Sequence, residues 1–116
     1  MNGNKSTYRH GGITTNISTT IKGLWMDKIL SGEKTSEYKG NSDFWWKRLT
    51  KFIGHRFDKE PVFITFLCGR MSYKYRVKCV LFYPVPKEID GVVYDCYWEI
   101  RLSHKTQGLT PEHDKV

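Results

Sequence analysis

The stretch Ile29-Leu30-Ser31-Gly32-Glu33-Lys34-Thr35-Ser36-Glu37-Tyr38-Lys39 decides how the fold begins, because a helix ends and a strand starts within it. Upstream, apolar residues recur at helical spacing and predict an amphipathic helix over residues 22–31. Its apolar face is predicted to contain Ile21, Leu24, Trp25, Ile29 and Leu30. Gly32 stands where a helix end favours a residue that tolerates positive φ. Residues 36–39 then predict a short strand.

The charges after Gly32 form the first candidate site. Glu37 and Lys39 share one face of the predicted strand, because strand side chains repeat every second residue. A turn before the strand can bring Lys34 to the same place. Such a cluster binds an anion or holds a lysine beside a carboxylate that tunes its pKa. Equally, it is a helix end with solvated surface charges, and the residue types alone leave both interpretations open.

The spacing Gly32-x-Lys34-x-x-Glu37-x-Lys39 after an amphipathic helix resembles the signature G-x-K-x-x-E-x-R of the activating signal cointegrator homology (ASCH) domains. These domains are a branch of the PUA-like superfamily. The order of the later segments is similar to small phage and bacterial ASCH proteins over roughly residues 20–104. Those segments are Phe44-Trp45-Trp46-Lys47-Arg48-Leu49, Cys68-Gly69-Arg70, Arg76-Val77-Lys78 and Tyr97-Trp98-Glu99-Ile100-Arg101-Leu102. Lys39 replaces the final arginine of the signature, which keeps the charge but loses the planar fork.

The order of elements predicts an α+β fold, and the resemblance implies a small curled antiparallel β-barrel of about five or six strands with two main helices packed on it. We assign residues 21–104 to this domain. Residues 1–20 are predicted to be a flexible arm, with its last residues as a candidate edge strand, because they are rich in Asn, Gly, Ser and Thr. Residues 105–116 are predicted to be a polar tail.

A second helix is predicted over about residues 43–53, with Asn41-Ser42-Asp43 as its N-cap cluster and Gly54 at its end. Its inward residues are predicted to be Phe44, Trp45, Leu49, Phe52 and Ile53, whereas Lys47, Arg48 and Lys51 fall on another side. Trp46 lies between these two sets. We therefore interpret Trp45 as a core residue and Trp46 as a candidate for stacking on a base.

Two long strands are predicted in the second half. From Tyr73, strict alternation puts Tyr73, Tyr75, Val77, Cys79 and Leu81 on one face and Lys74, Arg76 and Lys78 on the other. The three cations, ~6–7 Å apart, either contact successive phosphates or protect an exposed strand from edge pairing. The strand ends at Pro84-Val85-Pro86, and Asp90-Gly91 is a hairpin signal. Residues 92–102 are predicted to return as one strand with Tyr94, Cys96, Trp98, Ile100 and Leu102 on one face.

Composition limits the classes of function. A chain of 116 residues is one domain by length, and its net charge of +7 favours a polyanionic partner. The three cysteines lack paired spacing and are predicted to be reduced thiols in the cytoplasm. The four histidines are scattered, so we expect neither a metal nor another cofactor. No apolar run approaches the roughly 20 residues that a membrane span needs, so no membrane partner is expected.

The first functional hypothesis is binding of RNA, another single-stranded nucleic acid, or a nucleotide or modified nucleobase, as the resemblance implies. Lys34 and Lys39 are assigned to phosphate and Glu37 to an exocyclic amine or a ribose hydroxyl, while Trp25, Tyr97 or Trp98 provides a stacking platform. The full set of predicted binding residues is Trp25, Lys34, Thr35, Glu37, Lys39, Trp46, Arg70, Lys74, Arg76, Lys78, Tyr97, Trp98 and Arg101.

Two alternatives remain open. Some bacterial ASCH proteins that this chain resembles hydrolyse N4-acylated cytidine, and others are linked to ribonuclease activity. Such a hydrolase would use Lys34 and Glu37, with Glu37 or Glu99 as the base. The residue three positions after the signature lysine is a threonine in those amidohydrolases, whereas it is Glu37 here. The third hypothesis is a protein-interaction module of a mobile element. The sequence leaves the oligomeric state open.

Overall fold

The computed structural model describes residues 15–106, so the arm predicted before residue 15 and the tail predicted after residue 106 lie outside the described residues. In chain order the elements are β1 (Asn16–Thr20), α1 (Gly23–Leu30), β2 (Ser36–Gly40), α2 (Asp43–Leu49), a 3₁₀ turn (Thr50–Phe52), β3 (Phe63–Cys68), β4 (Met71–Tyr83), β5 (Lys87–Ile89), β6 (Val92–Tyr94) and β7 (Tyr97–Lys105). Within residues 15–106, no helix has the length and apolar character needed to cross a membrane.

Five strands form one sheet in the order β1-β3-β4-β7-β2, and β5 pairs with β6 in a separate hairpin. The larger sheet curls into a half-barrel, which confirms the predicted α+β class and curled sheet with two helices. The candidate edge strand at the end of the arm is present as β1. It pairs parallel to β3, so the sheet is antiparallel everywhere except at this edge.

One face of the sheet, which we call the inner face, carries the core. Its buried residues lie opposite one another across the strands, as shown by the pairs Ile17–Ile64, Ile64–Tyr75 and Val80–Ile100. Strand side chains alternate, so the remaining residues of each strand point to the opposite or outer face. The fully buried side chains are Met26, Leu49, Phe52, Val62, Ile64, Phe66, Val77, Trp98 and Ile100.

A β-bulge at Lys78 interrupts the alternation along β4. Val77 pairs with Leu102 and Cys79 pairs with Arg101, so Lys78 is an extra residue on β4. Before the bulge the odd-numbered residues of β4 face inward, whereas after it Val80 is buried. The prediction that Cys79 and Leu81 share the inner face with Tyr75 and Val77 was therefore wrong. Sequence alternation cannot show a bulge, because the extra residue is defined by the pairing of β4 with β7 and not by the residues of β4 alone.

Both helices form where they were predicted, with corrections to their buried faces. Met26 and Ile29 of α1 are buried, but Leu24 and Leu30 are exposed. In the second helix Leu49 and Phe52 are buried, whereas Phe44 and Ile53 are exposed. Each helix therefore buries only part of the apolar face that the spacing predicted, and the flanking apolar residues remain in solvent.

The predicted long strand over residues 92–102 is two strands, β6 and β7. Tyr94 belongs to the β5–β6 hairpin and leaves the face shared by Trp98, Ile100 and Leu102. The hairpin turns at Asp90 and Gly91, whose φ angles are 53° and 84°, as the Asp-Gly signal predicts. The hairpin folds against the free edge of β2, where the ring of Tyr94 occupies the space beside Gly40 that a Cβ would fill.

Candidate functional site

A cavity of about 710 Å³ opens at the free edge of β2. Besides β2 itself, its walls come from four parts of the chain: the end of β1, helix α1, the start of α2 and the β5–β6 hairpin. The residues of β2 that line it include Glu37 and Lys39, and Lys34 precedes that strand. The cavity therefore lies directly on the G-x-K-x-x-E-x-K segment, at the open side of the half-barrel.

Glu37 lies at the centre of this site and its side chain is only 8% exposed. One carboxylate oxygen, Oε1, is 2.7 Å from Lys34 Nζ, and the other, Oε2, is 3.2 Å from Lys39 Nζ. Both lysine side chains are about one-fifth exposed. A buried carboxylate without partners is costly, and the two ion pairs to Lys34 and Lys39 compensate for the burial of Glu37. One carboxylate and two ammonium groups leave the cluster with net positive charge.

Two tryptophans line the same cavity, one beside each lysine. Lys34 Nζ is 5.3 Å from the ring centroid of Trp25, and Lys39 Nζ is 5.4 Å from that of Trp45. A cation within about 6 Å of an indole face is attracted to it. Each ammonium group is therefore held between Glu37 and an aromatic ring, and it keeps part of its surface in the cavity.

The local sequence explains how Lys34 reaches Glu37. The φ angle of Gly32 is 84°, which turns the chain sharply after α1. The backbone N–H of Lys34 then donates to the carbonyl of Lys28 at 2.9 Å. Ser36 begins β2 directly after this turn, so the side chains of Lys34 and Glu37 meet on one face. The predicted return of Lys34 towards Glu37 and Lys39 is confirmed.

Glu99 lies on the outer face, opposite to Glu37. Glu37 pairs with Ile100, and the alternation of β7 then turns Glu99 the other way. Ser36 Oγ donates to Glu99 Oε2 at 2.7 Å, and Tyr83 Oη donates to Glu99 Oε1 at 2.8 Å. Arg101 Nε donates to the same Oε2 at 3.2 Å. The structure thus corrects the assignment of Glu99 as a catalytic partner of Lys34.

The environment of Glu99 lowers its pKa. Burial alone raises the pKa of this carboxyl group, but the hydrogen bonds from Ser36, Tyr83 and Arg101 and the charge of Arg101 outweigh burial. The bond to Glu99 raises the pKa of the Tyr83 hydroxyl, and burial raises that of Tyr38. Glu99 is therefore a carboxylate whose oxygens are occupied by hydrogen-bond donors from Ser36, Tyr83 and Arg101, which indicates a structural role.

The other predicted binding residues lie apart from the cavity. Trp98 is fully buried, which corrects its assignment as a stacking platform, and its Nε1 donates to Asn41 Oδ1 at 2.8 Å. Trp46 is 45% exposed and packs edge-on against Phe82. Thr35 is exposed beside the cavity residues, and its carbonyl accepts from Leu102 N. Arg70 lies in the β3–β4 turn, while the outer face carries Lys74, Arg76, Lys78, Tyr97 and Arg101.

The cavity-lining residues that sequence reasoning missed include Trp45, Lys87 and Tyr94. Helical spacing placed Trp45 in the core, and the residue does pack against the core; it is only partly buried, however, and it also lines the cavity. Nothing in the sequence indicated that the β5–β6 hairpin folds over β2. One signal was present, since Gly40 at the end of a strand indicates close approach of another part of the chain.

The cavity brings two ammonium groups and two indole rings together beside Glu37, and its other charged lining residues are Lys28, Glu33, Lys87, Glu88 and Asp90. Ammonium groups attract phosphate or carboxylate, and the indole faces provide apolar contact for a planar ring. Within residues 15–106, no three or more His, Cys, Asp and Glu side chains are grouped so that they could hold a metal ion.

Comparison of the chain with models of protein families, with curated proteins and with solved structures gave no match. The resemblance of the G-x-K-x-x-E-x-K segment to the ASCH signature therefore stays a prediction.

Proposed function

We propose that this protein binds a nucleobase or nucleotide, from RNA or another single-stranded nucleic acid, in the cavity beside the G-x-K-x-x-E-x-K segment. The observation that carries the proposal is the pairing of each lysine with a tryptophan around one buried carboxylate. Lys34 lies over Trp25 and Lys39 over Trp45, and Glu37 joins the two lysines. Phosphate and base are the two halves of a nucleotide, and this cavity offers a partner for each.

The roles follow from the contacts. Lys34 and Lys39 are the groups for phosphate, because each retains exposed surface in the cavity. Trp25 and Trp45 are the groups for the base, since stacking on an aromatic ring contributes about 1–3 kcal/mol per base. Glu37 positions the two lysines rather than contacting the base, because each of its carboxylate oxygens already forms an ion pair with an ammonium group.

The ASCH resemblance implies the same class of ligand, and the net charge of +7 favours it. We also assign the protein to the cytoplasm, on the ground that Cys68, Cys79 and Cys96 are all free thiols.

The test is the equilibrium binding of nucleoside monophosphates, measured by titration calorimetry. We expect Trp25→Leu and Trp45→Leu each to weaken binding about tenfold, which corresponds to ~1.4 kcal/mol. Trp46→Leu is the matched control, because Trp46 is an exposed tryptophan that does not line the cavity. Loss of affinity in all three variants, or in none, would contradict the proposal.

One observation favours a second candidate, a hydrolase acting on an N4-acylated cytidine or on RNA. Lys34 Nζ is 2.7 Å from Glu37 Oε1, which is within the hydrogen-bond distance at which an amine and a carboxylate can act together in acid–base catalysis. In this alternative, the pair directs water at the acyl carbon, and cytidine and a carboxylic acid leave. Incubation of N4-acetylcytidine and single-stranded RNA with wild type and Lys34→Ala decides between the two. Product that disappears in the variant favours the hydrolase, whereas salt-sensitive binding without product favours the binding function.

A further inference from the structure

The outer face of the sheet carries a second concentration of cations and aromatic rings. Lys74 and Arg76 of β4 lie on this face, opposite Thr65 and Phe63 of β3. The bulge at Lys78 then shifts the alternation by one residue. As a result, the odd-numbered residues after the bulge, which end in Tyr83, share the face with Lys74 and Arg76. Strict alternation would have separated the cations from that tyrosine.

Tyr83 and Tyr97 form an aromatic platform at the end of this face. They are cross-strand partners on β4 and β7, and their rings are stacked at 4.8 Å with an interplanar angle of 8°. Arg101 lies on the same face with a side chain that is 47% exposed. The carboxylate of Glu99 is nearby, but Arg101 and two hydroxyl groups already occupy it, so the face keeps a positive character.

The platform is continuous with the cavity around the free edge of β2. Tyr38 lines the cavity, and its ring centroid is 6.1 Å from that of Tyr97. Lys87 also lines the cavity, and its Nζ lies 4.8 Å from the ring centroid of Tyr38 and 5.5 Å from that of Tyr97. A polymer that leaves the cavity therefore meets an ammonium group and then the two stacked tyrosines.

We propose that this outer face is a second binding surface, which a single-stranded nucleic acid follows after leaving the cavity; the class of ligand rests on the proposed function. One base stacks on the end of the stacked Tyr83–Tyr97 pair, which forms the platform. The phosphates contact the outer-face cations, which are Lys74, Arg76, Lys78 and Arg101.

The length of the outer face requires a polymeric ligand. From Lys74 to Tyr83 the strand extends ~30 Å at about 3.3 Å per residue, which a free nucleotide cannot span. Proteins that bind single strands combine a cationic path with aromatic rings on which bases stack, and this face has both. The ligand is therefore a nucleic-acid strand and not a mononucleotide alone.

The first experiment measures how the affinity for a labelled oligouridine depends on salt, with a probe of about 12 nucleotides, within the site sizes of small single-strand binders. Each phosphate contact on a single strand contributes ~0.7 to the slope of log K against log salt. We expect the Lys74→Gln, Arg76→Gln, Lys78→Gln triple variant to reduce that slope by about 2. A matched triple variant removes the same charge from exposed positions elsewhere, namely Lys47, Arg56 and Lys59.

An unchanged slope in the outer-face triple variant, or an equal reduction in both triple variants, would overturn the inference. Arg76 also donates to the carbonyl of Phe57 at 3.1 Å, so the triple variant is checked for folding by urea unfolding. If it does not fold, Lys78→Gln alone tests the surface, because Lys78 is exposed and its loss should reduce the slope by about 0.7.

The second experiment separates this inference from the proposed function. Tyr97→Leu should weaken oligouridine binding about tenfold and leave mononucleotide binding unchanged, whereas Trp45→Leu should weaken both. Trp46→Leu is the control, because Trp46 is an exposed aromatic residue outside both the cavity and the Tyr83–Tyr97 platform. Oligouridine affinity that is insensitive to Tyr97→Leu refutes the outer surface, even if Trp45→Leu supports the cavity. If Tyr97→Leu weakens oligouridine binding and Trp45→Leu has no effect on either ligand, the result refutes binding in the cavity and supports the outer surface.

Discussion

Gly40→Ala tests whether the β5–β6 hairpin is held against β2 by close approach of Tyr94. A Cβ built on Gly40 would overlap Cγ, Cδ1 and Cε1 of the Tyr94 ring, so the ring has to move from its place beside β2 to accommodate it. Overpacking of this kind costs about 1–3 kcal/mol. The backbone of Gly40 has no positive φ, so alanine is otherwise compatible there and would stabilise the chain by about 0.4–1 kcal/mol.

The two effects are separated by a double-mutant cycle with Tyr94→Ala, measured by urea unfolding. In wild type, Gly40→Ala should lower the free energy of unfolding, whereas in the Tyr94→Ala background it should be neutral or stabilising. The resulting coupling equals the overpacking cost of about 1–3 kcal/mol, which is within the range for residues in contact. Gly23→Ala is the control, because its added Cβ meets no atom within 4 Å and it should act equally in both backgrounds.

The same variant reports on the cavity, because Gly40 and Tyr94 both line it. Displacement of the hairpin should weaken nucleotide binding in Gly40→Ala along with stability. An equal effect of Gly40→Ala on unfolding in both backgrounds would refute the reasoning, since the cost would then have a source other than the ring of Tyr94.

Three further predictions concern single side chains. Glu37→Gln should lower the free energy of unfolding by about 1.5–3 kcal/mol in urea melts, because two ammonium groups lose their charged partner; equal midpoints for variant and wild type would contradict this. The folded-state pKa of Glu99 is lowered, so its contribution to stability is complete above the unfolded value of about 4.3 and is lost as pH falls towards the folded value. The stability difference between wild type and Glu99→Gln should therefore shrink between about pH 5 and pH 3, and a constant difference across that series would count against it. Ser42→Ala should cost about 1 kcal/mol, because Ser42 Oγ accepts from Trp45 N at the start of α2, and Ser103→Ala on an exposed strand position is the control.

The features that depend on neighbouring residues could be predicted from the sequence. The positive φ of Gly32, the cap at Ser42, the turn at Asp90-Gly91 and the end of β4 before the prolines all follow from local backbone chemistry. The meeting of Lys34, Glu37 and Lys39 also needs only a turn and a strand. Each of these features acts over a few residues, so the order of residue types was sufficient to predict it.

The tertiary structure decided the features that join distant parts of the chain. The bulge at Lys78 depends on the register between β4 and β7, and that register decides which face Tyr83 takes. Trp45 faces the cavity because the curled sheet leaves an open edge beside α2, and Tyr94 reaches Gly40 because the hairpin folds back over β2. Glu99 was separated from Lys34 in the same way, by the pairing of β7 with β2. Such positions are fixed by packing between segments far apart in sequence, and local propensity carries no information about them.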